Sequence, residues 1–291
     1  MSSSADPPKN PSLDRRVTPA RPDLAAASLR GKIEAARYVE GWRRRVIDGA
    51  APLRRAPSHE APLETEALYG ESVVVYEENE GWAWGQLERD SYVGFMPASA
   101  LGLSVAPTHR LAALRSFAYP GPSIKLPPAA ALSLGARLAI AESRGDFAVI
   151  ADGWHIYAPH LTRLEAYEPD FVAVAERFLE VPYLWGGRTS QGIDCSGLVQ
   201  TALAEAGVAA PRDSDMMEAS LGAPIAFDET LGDLRRGDLV FWKGHIGVMR
   251  DAQTLLHANG WHMKVVSEPL RVARERTSEK AYGPITSIRR L

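Results

Sequence analysis

The chain has 291 residues, of which 45% are hydrophobic and 24% are charged, with a formal net charge of −3 at pH 7. This composition is typical of a globular protein with room for two or three small domains. The 33 Lys and Arg residues are balanced by 36 Asp and Glu residues, which excludes the positive field expected of a nucleic-acid-binding protein. No apolar run is long enough to predict a membrane span. We therefore expect neither nucleic acid nor a membrane as a partner.

Residues 1–28 are rich in Ser, Pro, Ala and Asp, and this composition predicts a disordered N-terminal tail. The tail lacks the apolar run of about 7–15 residues that is typical of a secretory signal peptide. The chain contains a single cysteine, which must stay reduced if it is to react. These features together favour a cytoplasmic location.

Two groups of short β-strands, separated by turns rich in Gly, Asn and Asp, are predicted next. The strands of the first group, within residues 29–105, are Ser72–Tyr76, Trp82–Leu87 and Tyr92–Met96. The strands of the second group, within residues 106–167, are Arg137–Ala141, Ala148–Ile150 and Trp154–Tyr157. The second group repeats the plan of the first, which indicates two small all-β units in succession.

The single cysteine, Cys195, lies at the start of a predicted helix. Asp194 is a typical N-cap, Gly207 is a typical stop, and the apolar residues between them recur at helical spacing. The unpaired N–H groups and the positive end of the helix dipole favour thiolate over thiol, so we expect a lowered pKa for the sulfur, although Asp194 opposes it. A buried packing cysteine is the alternative, but the small neighbours Ser196 and Gly197 favour an accessible nucleophile.

Two histidines lie on neighbouring predicted strands, His245 within Gly244–Met249 and His257 within Thr254–Asn259. Each is six residues from Asp251, so a hairpin with its tip there would place them opposite one another, with Cβ atoms about 4.5–5.5 Å apart. One imidazole would then accept the thiol proton while the other fixes its orientation. A metal site is the alternative, but two histidines without a second cysteine underfill a zinc shell. We expect no metal or organic cofactor.

Taken in order, these motifs resemble the NlpC/P60 family of cysteine peptidases over most of residues 170–291. The segments that carry the resemblance are Tyr183–Leu198, Pro211–Ser214, Arg236–Phe241, Gly244–Val248 and Leu256–Ala258. The family implies a papain-like α+β catalytic domain, in which a helix with the nucleophile packs on an antiparallel sheet with the histidines. The two preceding β units are similar to bacterial SH3-like barrels. The expected architecture is therefore two small all-β barrels, at 29–105 and 106–167, followed by a papain-like domain at 168–291.

The resemblance also implies catalytic roles for individual residues. Cys195 would be the nucleophile, His245 the base and His257 the residue that orients the base. The Tyr183 hydroxyl would lie near the oxyanion of the tetrahedral intermediate, together with the backbone N–H of Cys195. A tyrosine that simply packs in the core is the alternative for Tyr183.

A pocket for the free amino terminus of the substrate is implied as well. Asp194, Ser196 and Ser214 would line it, although helix-capping roles remain open for Asp194 and Ser214. From the first barrel, Glu64 on a predicted loop and Tyr92 at the start of a strand are candidates for closing one side of the cleft. The alternatives are a solvated glutamate and a barrel-core tyrosine.

The implied activity is hydrolysis of the γ-D-glutamyl–diamino acid bond in small murein peptides with a free N-terminal L-alanine, during cytoplasmic recycling of the cell wall. The alternatives are a secreted hydrolase of intact peptidoglycan, a non-catalytic wall-peptide-binding scaffold and a Cys-His acyltransferase, which shares the acyl-enzyme chemistry. The complete set of Cys195, His245 and His257 argues against the scaffold. The oligomeric state stays open.

Overall fold

The computed structural model describes residues 13–228, 230–280 and 283–291. The segment before the seven strands of the first β unit contains strands β1 (Ala25–Ala26) and β2 (Tyr38–Val39), which pair in parallel. The bounds 29–105 for that unit, which include β2, stay a prediction. Leu24 is fully buried, and the Arg21 guanidinium lies 4.5 Å from the centroid of the Trp84 ring. Such burial and cation–π contact offset the entropy lost on ordering the segment. The prediction of a disordered tail is therefore wrong for residues 13–28, and residues 1–12 lie outside the described part of the chain.

Seven strands form the first β unit as one antiparallel sheet, in the order β5-β4-β8-β7-β6-β3-β9. They are β3 (Trp42–Val46), β4 (Ala50–Arg54), β5 (Leu63–Leu68), β6 (Ser72–Asn79), β7 (Trp82–Leu87), β8 (Val93–Pro97) and β9 (Leu101–Leu103). All three predicted strands of this unit are present, with ends shifted by a few residues. Glu64 lies in β5, so the prediction of a loop there is wrong. Thr65 and Ala67 are buried, but the glutamates that precede each of them, Glu64 and Glu66, obscure this alternation in the sequence.

The second β unit has two antiparallel sheets around one buried core. Its strands are β10 (His109–Leu111), β11 (Arg115–Tyr119), β12 (Ala130–Ser133), β13 (Arg137–Leu138), β14 (Ile140–Arg144), β15 (Phe147–Ile150), β16 (His155–Tyr157) and β17 (Leu161–Arg163). Tyr69 of the first unit packs in the same core, so the two units adjoin. The assignment of this unit as a second SH3-like barrel, with the boundaries given above, stays a prediction.

In its described residues, the C-terminal region combines four helices with a six-stranded antiparallel sheet in the order β20-β25-β21-β22-β23-β24. The helices are α1 (Phe171–Glu176), α2 (Cys195–Glu205), α3 (Ser214–Ser220) and α4 (Leu270–Lys280). The strands are β18 (Arg188–Thr189), β19 (Gly192–Ile193), β20 (Ala223–Pro224), β21 (Leu239–Trp242), β22 (His245–Met249), β23 (Thr254–Asn259), β24 (Lys264–Pro269) and β25 (Ile285–Arg290). β18 and β19 form a separate two-stranded ribbon.

The six-stranded sheet is covered on both faces, because its central strands are buried throughout. Phe241 and Val248 pack with α1 and α2 on one face. Val240 and Met249 pack with the start of α4 on the other. This arrangement places the N-terminus of α2 beside β22 and β23. Within the described residues, every helix is too short or too polar to cross a bilayer.

Candidate active site

The start of α2 is built tightly around Cys195. The Asp194 carboxylate accepts the Gly197 N–H at 2.7 Å, so the predicted N-cap is confirmed. A Cβ atom on Gly197 would lie 2.4 Å from the carbonyl oxygen of Gly187, which means that the loop before the helix presses on its first turn. Cys195 is consequently only 7% exposed.

This burial changes the expected ionisation of the sulfur. Burial, and next the adjacent Asp194 charge, raise the pKa of the Cys195 thiol to about 12, although backbone hydrogen bonds of Ile246 and Ser196 act in the opposite direction. The prediction of a lowered thiol pKa is therefore wrong for the free protein. Desolvation outweighs the helix dipole, because the dipole acts on a group that has lost its water. At neutral pH the resting sulfur is a protonated thiol.

The two histidines are both buried, and His245 Nε2 lies 2.8 Å from His257 Nδ1. They are diagonal neighbours, since β22 pairs with β23 in the register Val248 with Leu256, which extends to Gly247 opposite His257. The prediction that the histidines lie directly opposite is wrong by two residues. The reason is that the Asp251 carboxylate accepts two N–H groups of the turn, from residues 253 and 254, and so the hairpin tip is centred one residue later.

Glu268, which the sequence analysis missed, completes a chain of side chains. Its Oε1 lies 2.8 Å from His257 Nε2, and its Oε2 accepts from Arg276 at 2.7 Å. Burial opposes ionisation, but the charge of Arg276 and the hydrogen bonds from Arg276 and His257 lower the pKa of Glu268 to about 2. Glu268 carries no motif. Its position on β24, the strand that pairs with the strand of His257, is the feature by which it could have been identified.

The ionised Glu268 determines where the histidine protons are. A carboxylate can only accept, so His257 Nε2 carries a proton, His257 Nδ1 accepts from His245 Nε2, and His245 Nδ1 is left as the unprotonated nitrogen. The Asn259 amide nitrogen lies 2.9 Å from His257 Nε2, but the charge-assisted bond to Glu268 is the stronger of the two. Burial, and then His257 and Arg276, hold the pKa of His245 well below its usual value. The base is therefore a neutral imidazole.

Asp194, predicted to pair with the substrate ammonium, already has a charge partner in the fold. The fully buried Arg212 donates to its two carboxylate oxygens at 2.6 and 3.0 Å, and the Gly186 N–H adds a bond of 2.8 Å. Arg212 also donates to the Ser196 hydroxyl at 2.7 Å. With the N-cap bond to Gly197, the carboxylate has no acceptor position left for a ligand. The assignment of Asp194 as ammonium partner is not supported, and its role is to hold the helix start.

The other predicted pocket residues come together around Asp213, which sequence reasoning also missed. The Tyr92 hydroxyl donates to Asp213 Oδ2 at 3.0 Å and lies 3.5 Å from Glu64 Oε2. Ser214, which follows Asp213 and begins α3, is buried. Two side chains of the first β unit and two residues of the catalytic region thus form one polar cluster. Asp213 could have been identified from the sequence, because it lies between Arg212 and Ser214 in one of the segments that carry the family resemblance.

Tyr183 is half-buried against the core that contains Cys195. Its backbone N–H donates to the carbonyl of Met263 at 2.9 Å, and it forms an isolated bridge to Ile193. These contacts fix the backbone of the loop that leads to the cysteine. The role of the Tyr183 hydroxyl at the oxyanion stays a prediction.

A buried cysteine at a helix N-terminus, packed on an antiparallel sheet that carries two hydrogen-bonded histidines, defines the class of papain-like cysteine hydrolases. Residues 180–282 match the NlpC/P60 family, and residues 53–101 match the bacterial dipeptidyl-peptidase SH3 domain. The chain therefore carries an NlpC/P60 cysteine peptidase domain and a bacterial dipeptidyl-peptidase SH3 domain. The predicted family is confirmed.

Curated relatives and a solved structure agree with this assignment. Dipeptidyl-peptidase 6 of Lysinibacillus sphaericus is 34% identical over 102 residues, which are 35% of this chain and 36% of that protein. The gamma-D-glutamyl-L-lysine dipeptidyl-peptidase of Bacillus subtilis is 35% identical over 98 residues, 31% of each chain. The alignments thus span about a third of each relative. A crystal structure of an NlpC/P60 family protein from Bacillus cereus has the same fold, with a TM-score of 0.70 and 20% identity over 86% of this chain and 99% of that one.

Proposed function

We propose that the protein is a cysteine peptidase that hydrolyses the γ-D-glutamyl–diamino acid bond of short murein peptides and requires a free N-terminal amine, as on L-alanine. The observation that carries the proposal is the cluster of Glu64, Tyr92 and Asp213 at the junction of the first β unit and the catalytic domain. The names of the relatives support the bond and the dipeptidyl product.

The amine site rests on Asp213. Its Oδ2 accepts from Tyr92, whereas its Oδ1 accepts no hydrogen bond from the residues that the structure describes. An ammonium group that leaves water needs a carboxylate partner, and Oδ1 is available for that bond. Glu64 lies near the Tyr92 hydroxyl and is paired with Arg55, and Ser214 follows Asp213 in the chain.

The first β unit closes this side of the cleft. Arg212 donates to Thr65 Oγ1 at 2.8 Å, and the Arg188 N–H donates to Glu66 at 2.8 Å. A Cβ atom on Gly186 would lie 2.8 Å from the carbonyl of Leu63, so β5 packs directly on the loop before the cysteine. A wall at this position favours a peptide that ends at its amino terminus over a polymer that continues.

The chemistry follows from the neutral resting pair. As the Cys195 sulfur attacks the amide carbonyl, its proton passes to His245 Nδ1, and the imidazolium is stabilised through His257 and Glu268. The oxyanion that forms is held by the Cys195 N–H at the helix start and by the Tyr183 hydroxyl. His245 then gives its proton to the departing amine of the diamino acid. Water, deprotonated by the same nitrogen, attacks the thioester and the C–S bond breaks, which releases the γ-glutamyl dipeptide. The proton on His245 Nδ1 returns to the departing Cys195 sulfur, so the neutral pair is restored.

One experiment tests bond, amine requirement and substrate size together. The protein is incubated with L-Ala-γ-D-Glu-diaminopimelate, its N-acetylated form and intact sacculi, and the products are analysed by mass spectrometry, with Cys195→Ala as control. We expect release of L-Ala-γ-D-Glu from the free peptide. The acetylated peptide should lose at least ~30-fold in kcat/KM, because a desolvated charge pair is worth about 2–5 kcal/mol. Equal rates on both peptides, with digestion of sacculi, would favour the hydrolase of intact peptidoglycan instead.

The recycling role and the cytoplasmic location are part of the proposal. Both are tested by fractionating cells that express the chain from its own gene and by following tripeptide accumulation when Cys195 is replaced by Ala. A Cys-His acyltransferase is tested by adding an amine acceptor: a new amide product in place of the free dipeptide would support it.

A further inference from the structure

Arg16 reaches the amine site from a part of the chain that no assigned function includes. It lies in the segment before the first β unit, outside the matched ranges 53–101 and 180–282. Its carbonyl oxygen accepts the Val93 N–H at 2.7 Å, which anchors it to β8 next to Tyr92. From there its side chain crosses to α3 of the catalytic domain.

The Arg16 guanidinium holds three carboxylates together. Nη1 donates at 2.8 Å to Asp213 Oδ2 and at 2.8 Å to Asp215 Oδ1. Nη2 donates at 2.7 Å to Asp215 Oδ2 and at 2.7 Å to Asp14 Oδ2. Asp213 Oδ2 therefore has two donors, Arg16 and Tyr92, and the orientation of the carboxylate is fixed.

We propose that Arg16 is a positioning residue for substrate recognition, which orients Asp213 so that Oδ1 receives the substrate ammonium. The inference rests on the proposed function, because it deepens the amine site and names a determinant outside both domains. It also gives the N-terminal segment a role in the reaction, since the segment carries the residue that completes the pocket.

The charges around Arg16 decide the direction of its effect. The Arg16 guanidinium faces the carboxylates of Asp14, Asp213 and Asp215. The second nearby guanidinium, Arg212, is already paired with Asp194. The cluster therefore keeps an excess of negative charge and still attracts an ammonium. Without Arg16, two neighbouring carboxylates at the start of α3 would repel one another, and one would rotate away or take up a proton. Loss of Arg16 should therefore weaken amine binding, even though it removes a positive charge.

Loss of Arg16 should also change the pH dependence of the reaction, again in the direction of weaker amine binding. Burial raises the pKa of Asp213, while Arg212, Tyr92 and Arg16 act to lower it; Glu64, near the Tyr92 hydroxyl, is the nearby acidic group from the first β unit. Removing Arg16 leaves burial less opposed and raises the pKa of Asp213 further. The acid limb of kcat/KM for the free-amine peptide should then move to higher pH.

The test compares Arg16→Ala and Arg16→Lys with the wild type on L-Ala-γ-D-Glu-diaminopimelate and its N-acetylated form. We expect Arg16→Ala to raise KM for the free-amine peptide about 10-fold or more, the size of a lost charge-assisted hydrogen bond. Values of kcat and rates on the acetylated peptide should hardly change. Lysine keeps the positive charge but lacks the planar guanidinium that bonds several carboxylates at once. Arg16→Lys should therefore raise KM less than Arg16→Ala does.

Arg37→Ala is the matched control, because Arg37 lies in the same segment and pairs with Glu77, away from α3. It should behave as wild type, and thermal melts of all variants separate binding from unfolding. If Arg16→Ala unfolds, the role of Arg16 is tested with Arg16→Lys, which should still raise KM and move the acid limb of kcat/KM to higher pH.

Two negative results are distinguishable. Equal wild-type rates on free and acetylated peptides would reject the proposed function and the amine site with it. Wild-type discrimination that persists unchanged, or a lower KM, in the Arg16 variants would overturn the role of Arg16 alone; a lower KM would mean that the guanidinium competes with the ammonium.

Discussion

The carboxylate of Glu268 should control catalysis through the protons of two histidines, and Glu268→Gln isolates that effect because the amide has nearly the same shape. Glutamine can donate to His257 Nε2 as well as accept from it. Donation would reverse the chain of hydrogen bonds and place a proton on His245 Nδ1, the nitrogen that must receive the thiol proton.

The magnitude follows from the contacts. The bond of 2.8 Å between His257 and the ionised Glu268 is charge-assisted and about twice as strong as a neutral one. Its replacement by a neutral bond removes about 1–2 kcal/mol of support for the imidazolium that forms during attack. That loss corresponds to a fall in kcat of about 5- to 30-fold, whereas KM should stay nearly constant because Glu268 lies behind the histidines.

Steady-state kinetics on the free-amine tripeptide measure this fall, and ¹⁵N NMR of the histidine rings reports the tautomers directly. Glu275→Gln is the matched control, since Glu275 lies on α4 near Arg276 but is exposed and pairs with Arg271. Wild-type kcat in Glu268→Gln, with His257 still protonated at Nε2, would refute the argument.

The remaining predictions concern the catalytic cysteine with its two histidines, and then Asp213 and Asp194. Cys195→Ala should abolish hydrolysis, His245→Ala should cost nearly as much, and His257→Ala should leave more activity because it transfers no proton; turnover assays with each variant give the order. Because burial raises the pKa of the Cys195 thiol to about 12, iodoacetamide should alkylate the free protein slowly at pH 7 and faster as the pH rises, and a plateau below pH 8 would contradict this. Asp213→Asn should lower kcat/KM at least ~30-fold for the free amine and leave the acetylated peptide unaffected. Asp194→Asn should instead destabilise the fold by about 3–5 kcal/mol, visible as a lower melting temperature, because it breaks a buried pair with an arginine that is 1% exposed.

Local patterns in the sequence were sufficient to predict some of the elements, although they indicated a loop where β5 lies. The helix from Cys195 to Glu205, with Asp194 as its cap, and the strand Thr254–Asn259 agree with the prediction. Periodicity, capping and turn residues act over a few positions, so they can be recognised without the fold. The family resemblance had the same origin, since its motifs are short segments around these elements.

The tertiary structure decided which charges meet and which groups lose their water. Arg212 lies 18 residues from Asp194, and Arg16 lies 197 residues from Asp213, so no local pattern predicts either pair. The raised pKa of the Cys195 thiol likewise depends on burial by the surrounding loop and sheet, which a helix-start pattern does not contain. Electrostatic partners and desolvation depend on distances in space, whereas the sequence by itself specifies only distances along the chain.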